Sequence, residues 1–359
     1  MIKGRILCKK FYQEAVRPIL EEYFPQIPYA AGLLGYGSDV LGYDDEVSTD
    51  HMWGPRLYLF LNAEDLFQKD NILQVLSQNL PCSLEGYSVN FSDPDPKDHG
   101  VRHPVMLEKG PVKPLIWIHT VSGFLQQYLG KDHPEKWNAV DWLICSEHRL
   151  LGISAGILYH DGIGMEEQIR SLRFYPELVR DYLLASNWSL IAEEQAFLRR
   201  CGDCGDEIGS RLVCGRISER LMRLCFLYCG QYAPYSKWFG TAFKELPIPQ
   251  NIGDQIRRAL SAQELNERED AMVEAQLAVA DLHDRSGLTA PLHLKRSSYF
   301  GRNIQVIWAD RVAEVLQQKL TETELEGLPL IGSLSEVANF TAIFDHPSQQ
   351  RRIRSLYES

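Results

Sequence analysis

The chain has 359 residues, of which 45% are hydrophobic and 24% charged, the composition of a folded globular protein and not of a disordered or fibrous one. At roughly 150 residues per domain, this length holds about two domains. The 37 basic residues against 48 acidic ones leave a net charge of −11, which argues against a general binder of duplex nucleic acid, because phosphate neutralisation supplies most of such a protein's affinity.

Phe11, Ala15, Val16, Ile19, Leu20 and Tyr23 recur at helical spacing until Pro25, and predict an amphipathic helix. The run Tyr29-Ala30-Ala31-Gly32-Leu33-Leu34 reads as a buried strand that feeds a turn at Gly35-Tyr36-Gly37-Ser38. A second strand is expected over Arg56 to Leu61, with Leu57, Leu59 and Leu61 on one face. Ala63 to Leu80 has helical composition, and Ser83 to Phe91 reads as a third strand. Asp93-Pro94-Asp95-Pro96 marks a loop, and Leu115-Ile116-Trp117-Ile118 a fourth strand.

The pattern changes after about residue 135. Helical periodicity dominates from Trp137 to Tyr228, where Leu212, Val213, Ile217, Leu221, Leu224 and Tyr228 form a stripe. It returns at 254–281 and 308–320. The expected fold class is α/β followed by all-α: a mixed sheet with flanking helices over 1–134, then a larger helical domain over 135–359. The first ten residues hold no apolar run of signal-peptide length, and no stretch approaches the ~18 apolar residues of a membrane span. The eight cysteines are too few for a disulfide scaffold, so the expected setting is the reducing cytoplasm, with no membrane partner. Cys201-Gly202-Asp203-Cys204 has zinc-knuckle spacing, but Cys225, which a four-cysteine site would need, falls in an apolar helical stretch.

The segment from Gly35 to His51 carries the most chemistry. Glycines let backbone N–H groups approach a phosphate closely, and the Ser38 hydroxyl adds a donor. A carboxylate about a dozen residues later, Asp50, can hold Mg²⁺ against the same phosphates. The plainer reading is a strand-to-helix turn with a capping aspartate. In the helical part, Asp203, Asp206 and Glu207 precede the long helix. They suit its N-terminus, and one of them could serve as base for an acceptor hydroxyl. Arg211, Arg216, Arg220 and Arg223 read either as a solvated face paired with Glu219 or as phosphate contacts. Tyr232, Tyr235, Lys237, Trp238 and Phe239 could stack a base and contact a phosphate, or could form a packed elbow.

Gly37-Ser38, followed by Ser48-Thr49-Asp50-His51-x-Trp53-Gly54-Pro55-Arg56, resembles the nucleotidyltransferase-like proteins that carry the domain of unknown function 4037. The resemblance continues in Tyr87-Ser88-Val89-Asn90-Phe91-Ser92-Asp93, in the string from Arg200 to Ser210 and in the string from Tyr232 to Phe243. It implies the nucleotidyltransferase fold shared with DNA polymerase beta and the aminoglycoside nucleotidyltransferases. That superfamily sets a Gly-Ser turn on the nucleotide phosphates. Two acids at alternate positions of the next strand and a third on a later strand hold two Mg²⁺ ions. Carried over, the turn falls on Gly37 and Ser38 and the first acid on Asp50, with His51 beside it to orient Asp50 or a phosphate. The second acid would be residue 52, which is Met52, and a thioether is a poor ligand for a hard cation. Glu85, on a predicted strand, is preferred over Asp93 as the third acid. Asp206 is the expected base, and Lys237 and Tyr235, with Arg216 or Arg220, the expected nucleotide contacts. The implied activity is transfer of a nucleotidyl group from a nucleoside triphosphate, with Mg²⁺ or Mn²⁺, to a hydroxyl-bearing small molecule or protein. Met52 motivates the alternative, a nucleotide- or metabolite-binding protein that has lost catalysis.

Overall fold

The structure, a computed structural model, describes residues 1–49, 52–338, 340, 343 and 346–358. The predicted first helix starts earlier than its apolar pattern: α1 (Gly4–Lys10) runs into a π-helical stretch, Phe11–Val16, and then into α2 (Arg17–Tyr23). Pro18, which has no N–H to donate, sits just past the widened turn, where a helix adjusts to a missing bond. β1 (Tyr29–Leu33), the short α3 (Ser38–Leu41) and β2 (Arg56–Leu61) follow. The predicted helix from residue 63 opens as a 3₁₀ turn and becomes α4 (Lys69–Asn79).

Ser83 to Phe91 is not one strand. It folds into a hairpin of β3 (Ser83–Leu84) and β4 (Tyr87–Ser88). Glu85 (φ 51°) and Gly86 (φ 82°) form its turn, both left-handed, as a two-residue hairpin turn demands. β5 (Leu115–His119) and α5 (Val121–Leu129) come next. After α6 (Ala139–Ile144) and α7 (Glu147–Ser154), a strand absent from the sequence expectation appears, β6 (Ile157–Asp161). Its residues are half-buried or exposed, so it lacks the continuous apolar run of β1. α8 (Met165–Gln168) ends this region.

The four-stranded sheet has the order β5-β2-β1-β6. β1 is antiparallel to both of its neighbours, and β5 is parallel to β2. Gly32 permits the β1–β6 approach, because a Cβ there would lie 2.6 Å from Ile157 O. Alternation along β2 separates two faces. Leu57, Leu59 and Leu61 pack with Phe11, Val16 and Leu76. Tyr58 and Phe60 lie against Phe124 of α5, with ring centroids 5.2 and 5.4 Å away.

The chain divides into two units, Met1–Lys136 with Arg149–Arg173, and Trp137–His148 with Phe174–Ser359. The expected division at 134/135 was continuous. Instead, residues 149–173 belong with the first unit, because β6 completes its sheet. The second unit is helical: α9 (Glu177–Glu194), α10 (Phe197–Asp203), α11 (Glu207–Tyr228), α12 (Ser236–Glu245), α13 (Gln250–Ser261) and α14 (Leu265–Ser286). A small hairpin, β7 (Ser297–Ser298) with β8 (Gln305–Val306), precedes α15 (Asp310–Gln318), α16 (Leu334–Val337) and α17 (Pro347–Ile353). Along α11, Val213, Ile217, Leu221 and Leu224 are buried as predicted, whereas Leu212 is 59% exposed. No described helix is long and apolar enough to cross a membrane.

Candidate functional site

The glycine turn closes β1. Gly35 (φ 88°) and Gly37 (φ 116°) both occupy the region that disfavours side chains. Gly35 N–H donates to Gly152 O at 2.9 Å. A Cβ at Gly37 would lie 2.2 Å from Asp39 Oδ1 and 2.5 Å from Arg56 Nη2. The reason is a guanidinium under the turn. Arg56, the first residue of β2, donates from Nε to Asp39 Oδ2 at 3.0 Å and from Nη2 to Asp39 Oδ1 at 2.6 Å. Nη2 also reaches Tyr36 O at 2.6 Å, and the Tyr36 ring lies 4.6 Å from the guanidinium carbon. Arg56 is 1% exposed and Asp39 2%. Burial opposes the Arg56 charge, but the neighbouring Asp39 carboxylate outweighs it and raises the guanidinium pKa. Arg56 Nη1 is buried with no hydrogen-bond partner. The sequence reading missed this pair because each residue on its own reads as a surface charge.

Ser38 Oγ, expected on a phosphate, donates to Ser48 O at 3.2 Å. Asp44 turns inward and is 0% exposed; its Oδ2 accepts from Gly4 N–H at 2.7 Å and Trp53 Nε1–H at 3.1 Å. Asp50 and His51, assigned to metal and phosphate by resemblance, lie outside the described residues. Met52 has φ 47°, and its sulfur accepts from Tyr36 O–H at 3.7 Å. The strand expected to carry the second position, which is Met52, begins later. β2 starts only at Arg56 and carries no carboxylate, because Gly54 (φ 149°) and Pro55, which lacks a ladder donor, delay the strand.

The strand placement of Glu85 is corrected. It occupies the hairpin turn, not a strand, and its carboxylate pairs with Lys10. Asp93 pairs with Lys113 at 2.8 Å. Among the described residues no three His, Cys, Asp or Glu side chains gather as metal ligands, and the cysteines are free thiols. Among the described residues, the donors around the turn do not make a two-metal centre.

In the helical unit, Asp206, the expected base, is the N-cap of α11 and accepts from Gly209 N–H at 2.8 Å. Arg216 pairs on the surface with Glu194 at 2.5 Å. Arg220 is half-buried, and burial lowers its pKa against the opposing pull of Glu336. Lys237 is exposed, with its ammonium 5.0 Å from the Trp238 ring centre. Tyr235 caps α12, and its ring meets His148 edge-on at 4.8 Å.

Tyr235 also lines a cavity of about 290 Å³ with Glu147, His148, Glu219, Arg223 and Phe239. Arg223 is buried, not part of a solvated face. It donates from Nη1 to Glu147 Oε2 at 3.3 Å, and from Nε and Nη2 to Glu219 Oε1 at 3.1 Å each. Glu147 Oε1 accepts from Ala233 N–H at 2.9 Å. Burial pushes the Glu147 carboxyl up to about 7, Arg223 pulls it down, and the charge of Glu336 pushes it up again. Glu336 is held low, because the pull of Arg223 and the Ser333 hydroxyl outweighs burial. In the sequence Glu147 looks like an ordinary acid at a helix start, so nothing there separates it from Asp206.

Residues 142–239 match the model of DUF4037, a domain of unknown function. No curated protein matches the chain. Among solved structures, the chain is similar to a nucleotidyltransferase-like protein from Exiguobacterium sibiricum 255-15, at 14% identity and a TM-score of 0.34, over 76% of this chain and 77% of that one. Most of the cavity wall, from Glu147 to Phe239, falls inside the matched segment. Through residues 142–239, this chain is similar to the DUF4037 family.

Proposed function

We propose that the chain is a nucleotidyltransferase-like protein. It binds a nucleoside triphosphate with Mg²⁺ or Mn²⁺ at Gly37, Ser38 and Asp50, and transfers the nucleotidyl group to a hydroxyl-bearing acceptor. The observation that carries this reading is the turn itself. Gly35 and Gly37, both at positive φ, carry no Cβ over the backbone there, above a buried guanidinium whose Nη1 has no partner. Successive N–H groups in such turns form anion-binding concavities. The Ser38–Ser48 bond, at 3.2 Å, is long for a hydroxyl donor, and a phosphate oxygen can replace it. In-line attack needs positioning and charge neutralisation more than covalent chemistry. Mg²⁺ commonly rests on one or two carboxylates together with the substrate's own phosphates.

Met52 favours a second reading, binding without transfer, and so does Glu85, the other acid assigned to metal, which pairs with Lys10. Incubation with α-labelled ATP, GTP, CTP and UTP, either metal and a metabolite extract separates the two. Label on an acceptor supports transfer. A triphosphate-dependent thermal shift with no labelled product supports binding alone. The absence of both contradicts both readings.

A further inference from the structure

We infer that the cavity beside the start of α12 is a binding site for a small organic amine, an ammonium group on an apolar or aromatic body. Its volume, about 290 Å³, is far above the roughly 10–15 Å³ that one water requires. Tyr235, Phe239 and His148 present rings to it, and Met222 and Leu260 complete an apolar side. A cation within about 6 Å of an aromatic face is attracted by the ring quadrupole.

The charges select the same ligand. Glu147 and Glu219 line the cavity, and Glu336 faces Arg223 together with them. Arg223 and Arg220 are the cations that face this group, so three carboxylates meet two guanidiniums. Four of the five Arg223 N–H groups are already engaged. Its nitrogens are committed to Glu147, Glu219 and Ser335 O, and its face lies 5.4 Å from the Phe239 ring centre. Both bonds to Glu219 fall on Oε1, which leaves Oε2 as an acceptor for an ammonium N–H. Ser218, 3% exposed, lines the same cavity. Its Oγ is buried beside the Cys214 thiol with no other hydrogen-bond partner, which offers a second acceptor on the wall.

An anionic ligand would meet uncompensated negative charge, and a neutral one would leave it uncompensated. An ammonium neutralises it, while the ligand's body covers the rings. The groups that face Glu147 are Arg223, Glu336, the Ala233 N–H, Tyr175 and Tyr232, with Glu219 and His148 on the same wall. Glu147 adds its attraction only when ionised, so binding weakens as the pH falls through about 7.

The test is ligand-observed NMR on the full chain with 2-phenylethylamine, 2-phenylethanol and 3-phenylpropanoate. The amine is expected to bind at least about tenfold more tightly than the alcohol, and the acid not to bind, the scale of a charge-assisted contact. Glu219→Gln, which keeps a side-chain oxygen to accept from Arg223, is expected to weaken the amine roughly tenfold. Lowering the pH from 8 to 6 is expected to weaken it by a similar factor, because the ionised fraction of Glu147 falls up to tenfold per pH unit. Glu147→Gln is expected to abolish that pH dependence, which a merely structural role would not do. Equal binding of amine and alcohol, tighter binding of the acid, no binding of any probe, or unchanged amine affinity in a folded Glu219→Gln protein would each overturn the assignment.

Discussion

Asp39→Ala is expected to lower the stability of the first unit by about 3–5 kcal/mol, the cost of stripping one partner from a buried ion pair. Arg56 would keep its bond to Tyr36 O, but at 1% exposure it would have no counter-ion and no water. The loss should spread beyond the pair, because Gly4 packs on Asp39, with a Cβ there only 2.5 Å from Asp39 Cβ. Replacing both partners by apolar residues, Asp39→Leu with Arg56→Met, should recover much of the loss, since a buried pair and a well-packed apolar substitute differ little. Urea unfolding of the wild type, the single variant and the double variant measures this. A single variant within 1 kcal/mol of wild type would mean that the guanidinium is not held as described.

Glu147→Gln is expected to stabilise the protein above pH 7 and to leave it unchanged below about pH 4.5. The sign follows from proton binding. Folding raises the Glu147 pKa from 4.5 to about 7, so between those values the folded state holds a proton that the unfolded state releases. The stability that this proton contributes is fully present below 4.5 and is lost as the pH rises to 7. Glutamine never ionises, keeps an acceptor for the Ala233 N–H, and leaves Arg223 its bonds to Glu219 and Ser335 O. At pH 8 the gain should be on the order of 2 kcal/mol. Thermal unfolding from pH 4 to 9 reads it. A variant destabilised equally at every pH would show that Glu147 is a structural partner of Arg223 and not a strained carboxylate. Such a cost is typical of functional sites, where stability is exchanged for a poised group.

The sequence showed the apolar elements well and the polar ones poorly. β1, β2, β5 and the stripe of α11 were legible because burial imposes a period on them, two in strands and near 3.6 in helices. β6 was not, since an edge strand with one wet side has no such run. The hairpin at Glu85 was hidden by a residue that rarely adopts positive φ; a glycine pair there would have signalled it. At the site, the glycines of the turn were legible because their chemistry is local. Their cause was not: Gly37 is required by Arg56 and Asp39, which lie 17 residues apart. The cavity in the helical unit was legible only in part, through Tyr235 and Phe239. Glu147 and Arg223 are 76 residues apart, and only the fold makes them neighbours. Asp206 looked the same as Glu147 in the sequence and proved to be a cap.

The most direct test of the nucleotide reading is a crystal structure of the protein with a nonhydrolysable nucleoside triphosphate and Mn²⁺. The account predicts phosphate oxygens on the backbone N–H groups of the turn from Gly35 to Ser38, the Ser38 hydroxyl turned away from Ser48 O, and a single metal on Asp50 and the phosphates. A triphosphate bound elsewhere, with the Ser38–Ser48 bond intact and the turn untouched, would contradict it.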